Sequence, residues 1–312
     1  MAPLARLADQ HLLKTIASFP TEVRDDPTNR TFYLSLAIVR HFLGAAWADE
    51  HVQDNGEPGY VRLNWRDRTQ TQIQSFRIVD LGELLFNLQH MVGFDECIRR
   101  MRDGNIEGTY AELDLGRMLY QSGIEFRFVV GSGKRGDDFD IEMTLNDGVT
   151  VCADAKCKIE ATQFSEKTLL NSLQSARSQF PKDKPSIIFV KVPPRWLSER
   201  SDLKEQLTRI ANDFLRGTGR VVSVKYYVSH IRWEDGHVSH IQAFQEINNH
   251  HAINRFGSSR NWDMFEESDE TSGPNGFENY SDVPIRWRRL IYYPQVSAAD
   301  NRMRDVQSSR TS

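Results

Sequence analysis

The spacing of hydrophobic and polar residues changes along this chain and separates an N-terminal third from the rest. Apolar residues recur at helical spacing through TFYLSLAIVRHFLGAAWADEHV (31–52), with Thr31 as the predicted N-cap. VDLGELLFNLQHMV and FDECIRRMRDG predict two further helices. We therefore predict a helical N-terminal region over residues 1–103, which carries no chemical motif and suits packing or a homodimer or protein partner.

Helix and strand patterns alternate after Gly104. NIEGTYAELDLGRMLYQSG predicts an amphipathic helix that ends just before Gly123. Three strands follow, the second and third joined by an NDG turn. The next segments are a helix capped by Ser165, a strand, a second helix and a further strand. This order predicts the α/β fold class, with a mixed central sheet flanked by helices, over residues 104–255.

Residues 256–312 lose this order. The segment EESDETSGPNGFENYSD is polar, acidic and rich in Gly and Ser, and the last twelve residues, NRMRDVQSSRTS, are polar throughout. IRWRRLIYYP (285–294) predicts one late strand. The C-terminal region is therefore expected to be rich in loops and to end in a disordered tail.

Composition narrows the classes of function. The formal net charge is −4, so nucleic acid cannot be bound by overall charge, and any contact needs a local basic patch or a metal ion. The three cysteines form no C-x-x-C pair, which argues against a disulfide framework or a zinc site and favours a reducing compartment. No apolar stretch is long enough for a membrane span, so we expect a cytoplasmic protein without a membrane partner.

Acidic residues collect at the ends of two predicted strands. Asp138 and Asp140 are two residues apart in DDFDIEMTL, and Asp154 and Lys156 are two apart in VTVCADAKCKI. Side chains at that spacing on a strand share a face, and the NDG hairpin would bring Asp140 near Asp154. Hard oxygen ligands in this arrangement suit Mg²⁺ or Mn²⁺, and the lysine can orient or help deprotonate an attacking water.

With Glu112 on the leading helix and a D-x-K element at Asp154 and Lys156, residues 105–195 resemble the PD-(D/E)XK, or restriction-endonuclease-like, nucleases. The resemblance implies a restriction-endonuclease-like core that hydrolyses phosphodiesters with Mg²⁺ or Mn²⁺. Asp140 and Asp154 would bind the metal, assisted by the Ala155 carbonyl. Glu112 would reach the metal directly or through water, and Lys156 would position the water and stabilise the transition state.

Two positions stay open because the chain departs from the family pattern. No Pro-Asp pair marks the first acid, so Asp138 is an alternative metal ligand to Asp140. Asp140 is favoured because Ile141 begins the apolar strand. Glu107 is an alternative leading acid, and Glu112 is favoured over it.

The resemblance also suggests substrate contacts on the helix after the D-x-K strand. Gln174 or Gln179 would supply a polar group and Arg177 would meet a phosphate. Lys134 and Arg135, in the loop GSGKRG, are candidates for the phosphate backbone, against the alternative of an ordinary solvated loop. The hypothesis is a Mg²⁺-dependent DNA endonuclease of defence, restriction or repair. The alternative is a nuclease-fold binding module without catalysis.

Overall fold

The computed structural model describes residues 4–57, 59–131, 133–134, 136–145, 148–234, 237–253 and 287–292, without the side chains of residues 229–243 and Tyr292. Its contacts divide the chain into two units, Met1–His90 with Trp287–Ser312, and Met91–Arg286. FDECIRRMRDG, which the sequence grouped with the N-terminal helices, thus falls in the second unit. The predicted division into three regions stays a prediction.

The described part of the first unit is built from helices. These are α1 (Asp9–Ala17), α2 (Thr21–Arg24), α3 (Pro27–Leu43), α4 (Ala45–His51) and α5 (Arg68–Leu88). The long helices α3 and α5 pack together through buried aliphatic side chains such as Leu34 and Leu81. A Cβ at Gly82 would lie 2.7 Å from the Ser35 Cβ, so glycine is needed where the two helices approach.

The predicted N-cap of the first long helix is wrong. The α3 helix begins at Pro27, and the Asp26 carboxylate accepts hydrogen bonds from the amides of Thr28 and Asn29. Asp26 is therefore the cap, and Pro27 occupies a first-turn position where its missing N–H is no loss. Thr31 lies one turn inside the helix, with its hydroxyl donating to the Pro27 carbonyl at 2.6 Å.

The segment Trp287–Tyr292 belongs to the same unit and is not the predicted late strand. Its last three residues, Leu290–Tyr292, form a 3-10 turn. Side chains of α5 hold its backbone, because Glu83 accepts from the Leu290 amide at 3.0 Å and Asn87 accepts from the Arg288 amide at 2.7 Å. Because these two backbone amides already donate to α5 side chains, they are not used for pairing with a strand.

The second unit is a six-stranded sheet with helices on both faces, which confirms the predicted α/β class with a mixed sheet. Its helices are α6 (Phe94–Arg102), α7 (Ile106–Gln121), α8 (Glu166–Gln179), α9 (Arg195–Glu199) and α10 (Leu203–Leu215). Its strands are β1 (Glu125–Phe128), β2 (Ile141–Thr144), β3 (Thr150–Cys157), β4 (Ser186–Lys191), β5 (Val221–Glu234) and β6 (His237–Asn248).

The strands lie in sequence order across the sheet. The meander β1–β2–β3 is antiparallel, β3, β4 and β5 are parallel, and β6 returns antiparallel to β5. The helix ends agree with two predicted signals, since Ser165 caps α8 by accepting from the Thr168 amide and Gly123 follows α7 with a φ of 70°. No described helix is both long and apolar enough to cross a membrane.

The two faces of this sheet are covered by different helices. On one, which we call the α8 face, Cys152, Ile188 and Val224 join a core with the apolar side chains of α8 and α10. On the other, the α7 face, the Tyr227 hydroxyl donates to the Ala111 carbonyl of α7 at 3.4 Å. Because side chains alternate along a strand, even-numbered residues of β3 face α8 and odd-numbered ones face α7.

Candidate active site

Strand β3 presents Asp154 and Lys156 together on the α8 face. The Lys156 Nζ lies 2.6 Å from Asp154 Oδ1. Asp154 is fully buried, although it sits on a strand whose neighbouring residues are the apolar core positions Ala153 and Ala155. Its second oxygen, Oδ2, accepts no hydrogen bond from any described residue. A buried carboxylate oxygen without a partner is costly and calls for an explanation at this position.

Asp140 lies beside this pair at the start of β2. It directly precedes Ile141, whose partner across the antiparallel ladder is Ala153, so Asp140 and Asp154 are neighbours across the hairpin. The Asp140 amide donates to the Ala153 carbonyl at 3.1 Å, and its Oδ2 accepts from the Ala155 amide at 2.8 Å. Its carboxylate is thus fixed by the backbone of the D-x-K segment.

Burial and neighbouring charges raise the pKa of both aspartates. Burial, followed by repulsion from Asp140, raises the pKa of Asp154 to about 7, against a smaller lowering by Lys156. Burial also raises the pKa of Asp140, although Lys156 and the hydrogen bond from Ala155 oppose it. Burial lowers the pKa of Lys156, but the attraction of Asp154 and Asp140 outweighs this and leaves that pKa above its ordinary value. Lys156 is therefore a cation beside a pair of carboxyls.

Glu112 reaches this region from α7, which packs on the opposite face of the sheet. It is buried, and its Oε2 forms an ion pair with the Arg100 guanidinium and lies 4.0 Å from the Cys97 thiol. Burial raises the pKa of Glu112 well above its usual range, and repulsion from Asp140 adds to this, whereas Arg100 lowers it. Glu112 thus feels the charge of Asp140, while its described contacts are made within α6 and α7.

Arg100 is the residue of this cluster that sequence reasoning missed. It stands in the last turn of α6, among three basic residues that look alike in the sequence: Arg99, Arg100 and Arg102. Only its spacing of three from the buried Cys97 could have suggested that it turns inward. Electrostatically it reaches Asp140 as well as Glu112, because its charge lowers the pKa of both.

Gln179, at the end of α8, bridges the site. Its Oε1 accepts from Lys156 Nζ at 2.6 Å, and its Nε2 donates to the Asp138 carbonyl at 3.2 Å. The Asp138 carboxylate is used elsewhere, since its Oδ1 accepts from the Gly133 amide at 3.3 Å. Of the two alternative acids, the favoured Asp140 is therefore the one whose carboxylate contacts β3.

The other predicted substrate contacts are Gln174, Arg177, Lys134 and Arg135. Gln174 is exposed on α8, and Arg177 donates to the Gly217 carbonyl at 3.1 Å and lies over the Phe214 ring. Lys134 is exposed in its loop, and Arg135 lies outside the described residues. Their predicted roles toward a substrate stay predictions.

Two of the predicted metal ligands, Asp140 and Asp154, are placed to bind a divalent ion together. Within the described ranges, no three or more His, Cys, Asp and Glu side chains form a group that could hold a metal ion. Asp140 and Asp154 remain as a neighbouring pair of hard oxygen donors, and the unpartnered Asp154 Oδ2 is the atom that a cation would satisfy. Mg²⁺ commonly takes only one or two carboxylates and completes its shell with water and phosphate oxygens, so the residues present fit the ion.

The chemistry available is that of a carboxylate pair beside a fixed ammonium and a nearby guanidinium. Such a set can bind a cation, hold a water molecule and stabilise an anion, but it includes no neutral base or nucleophilic side chain in contact with Lys156 among the described residues. Comparison with known proteins adds no assignment, because no protein-family model matches the chain and no curated protein matches it significantly.

Proposed function

We propose that this protein is a Mg²⁺- or Mn²⁺-dependent phosphodiesterase, a nuclease acting on DNA. The observation that carries the proposal is Asp154, a fully buried carboxyl on a core strand, with one oxygen against Lys156 and the other without a partner. Its neighbour Asp140 is held in place by the Ala155 amide.

A purely structural role explains this arrangement poorly. Burying Asp154 beside the half-buried Asp140 costs free energy, and Lys156 neutralises only one of the two carboxyls. Apolar residues at these positions would cost less in a strand that is otherwise core. A divalent cation between the carboxyls and the substrate would remove the repulsion and occupy the unpartnered oxygen.

The residues divide the reaction between them. Asp140 and Asp154 would hold the cation, which when bound supplies charge neutralisation at the phosphate and an acidified water. Lys156, fixed by Asp154 and Gln179, orients the attacking water and stabilises negative charge on the phosphate oxygens. Water oxygen forms the new bond to phosphorus and loses a proton to solvent, the ester P–O bond breaks, and the leaving oxygen takes up a proton from solvent. Because Lys156 is a cation here, its role is positioning and charge rather than proton removal.

The finer fold is part of this proposal. An antiparallel β1–β2–β3 meander that leads through α8 into the parallel strand β4 agrees with a restriction-endonuclease-like core. The choice of DNA, and a place in defence, restriction or repair, follow from the resemblance of residues 105–195 to that nuclease superfamily.

One observation favours the alternative of a binding module without catalysis. The 2.6 Å contact between Lys156 and Asp154 already neutralises one carboxylate without a metal. In that case Lys156 would be a structural partner, and neither metal binding nor cleavage would be found.

The test is cleavage of supercoiled plasmid and of single-stranded DNA by the full chain with Mn²⁺ or Mg²⁺ and with EDTA. We expect metal-dependent cleavage that EDTA stops and Asp154→Asn abolishes. Asp213→Asn, at an exposed aspartate paired with Arg216, is the control and should cleave normally. Absence of cleavage together with absence of heat on titration with Mn²⁺ would favour the binding module.

A further inference from the structure

Arg100 occupies a position that the proposed reaction has not used. It pairs with Glu112 through Nη2, and the same atom lies 3.6 Å from Cys97 Sγ. Its described polar contacts all use Nη2, and the buried Nε has no hydrogen-bond partner among the described residues. A fifth of the side chain is still exposed, at 20%. The guanidinium is therefore anchored at one end and open to another partner.

Glu112 is correspondingly committed to Arg100. Its carboxylate pairs with the guanidinium, and among the described residues it forms no metal-binding group with Asp140 and Asp154. The resemblance assigned Glu112 to the metal, directly or through water. The contacts instead make it the residue that holds Arg100, whose charge also lowers the pKa of Asp140.

The charges of the cluster indicate what it can accept. When ionised, four carboxyls, Glu112, Asp140, Asp154 and Asp138, face two cations, Arg100 and Lys156, so two negative charges are left over. One divalent ion balances these two charges. A second divalent ion would leave two positive charges against the single negative charge of a phosphodiester, in a partly buried site.

We propose that Arg100, held by Glu112, serves as the second cation of the site and contacts the substrate phosphodiester, so that the site takes one divalent ion. This inference rests on the proposed function. A guanidinium suits the task because its planar set of N–H groups can meet a carboxylate on one edge and phosphate oxygens on another. Glu112 is then a positioning residue rather than a metal ligand.

The first test is calorimetric titration with Mn²⁺ of the wild type, Glu112→Gln and Asp154→Asn. We expect one Mn²⁺ per chain for the wild type and for Glu112→Gln, with dissociation constants within about threefold of each other. Asp154→Asn should bind none. Two ions per wild-type chain, or loss of binding in Glu112→Gln, would overturn the inference while leaving the nuclease proposal standing.

The second test is single-turnover cleavage of a duplex oligonucleotide at saturating Mn²⁺. Arg100→Ala should lower kcat/KM about tenfold to a hundredfold, as expected for loss of hydrogen bonds to a charged group. Arg100→Lys should recover part of the lost rate, because lysine restores the positive charge but not the planar set of N–H groups. The matched control is Arg99→Ala on the same helix, whose exposed side chain pairs with Glu96 and Asp103 and which should cleave normally.

A double-variant cycle separates positioning from general damage to the fold. If Glu112 acts through Arg100, the double variant should be no slower than Arg100→Ala alone. Additive losses would contradict the inference. If Arg100→Ala does not fold, Arg100→Gln keeps most of the bulk, and a rate within about threefold of wild type would equally contradict it. A wild type that neither binds Mn²⁺ nor cleaves DNA would remove both proposals together.

Discussion

Replacing Asp154 by asparagine should make the stability of the metal-free protein less sensitive to pH. An ordinary aspartate has a pKa near 3.8, and in the folded chain burial and Asp140 raise the pKa of Asp154 to about 7. Between these values the folded state binds more protons at this site than the unfolded state. The free energy of unfolding therefore falls as pH rises through this window and stays lower above pH 7. Asparagine stays neutral, so this loss disappears in the variant.

The size of the effect follows from the width of the window. Each pKa unit is worth about 1.4 kcal/mol, so between pH 5 and pH 8 the wild type should lose on the order of 3 kcal/mol relative to Asp154→Asn. For a folding unit of this size, that corresponds to a difference of about 6–12 °C in Tm. The variant keeps the hydrogen bond between Lys156 and Gln179, so the lysine does not lose all its partners.

The assay is thermal and urea unfolding of both proteins at pH 5 and pH 8, with EDTA present. Asp114→Asn is the control, because Asp114 is equally buried and also has one paired and one unpartnered oxygen, but its partner is the buried Arg117 on α7. Breaking such a pair commonly destabilises by about 3–5 kcal/mol, so the control should melt lower at both pH values. If Asp154→Asn behaves like this control, Asp154 is a structural ion-pair partner and the reasoning is refuted.

Three further predictions concern the same site. Lys156→Ala should slow single-turnover cleavage about a hundredfold with metal affinity little changed, and a rate within about threefold of wild type would remove Lys156 from the mechanism. Gln179→Ala should slow cleavage about tenfold, since it releases Lys156, whereas Asn171→Ala, at an exposed position on the same helix, should not; equal rates would mean that Gln179 positions nothing. Mn²⁺ at about a hundred times its dissociation constant should raise the free energy of unfolding at pH 8 by about 2.7 kcal/mol, and a rise of the same size in Asp154→Asn would place the ion elsewhere.

Much of the fold could be predicted because its signals are local. Gly123 ends α7, Ser165 caps α8, and apolar runs mark β3 and β4, each within a few residues of the element it defines. The start of α3 was misread although its signal is local too. Asp26 and Pro27 form an N-terminal signature one turn before Thr31, and apolar spacing alone does not indicate which polar residue accepts the first amides.

The alternation of side chains along a strand was enough to predict part of the candidate site. A spacing of two put Asp154 and Lys156 on one face, but Asp138 and Asp140 have the same spacing, and only the following Ile141 favoured Asp140. What separates them is tertiary: the Ala155 amide takes the Asp140 carboxylate, and the Gly133 amide takes that of Asp138. The same limit applied on α8, where Gln174 and Gln179 are about 140° apart around the helix and only one can meet Lys156.

The contact between Arg100 and Glu112 could not be predicted from the spacing of residues in the sequence. The role of Arg100 depends on its partner Glu112, which lies on the next helix. Gly104, with a φ of 99°, turns the chain between α6 and α7. Nothing in the spacing of the two residues requires them to meet, because helical periodicity ends where α6 ends. An ion pair between consecutive helices depends on the packing of both, and this one places a cation where the resemblance led us to expect a metal ligand. If the proposed site binds Mn²⁺, we expect the charge of Arg100 to limit it to one ion.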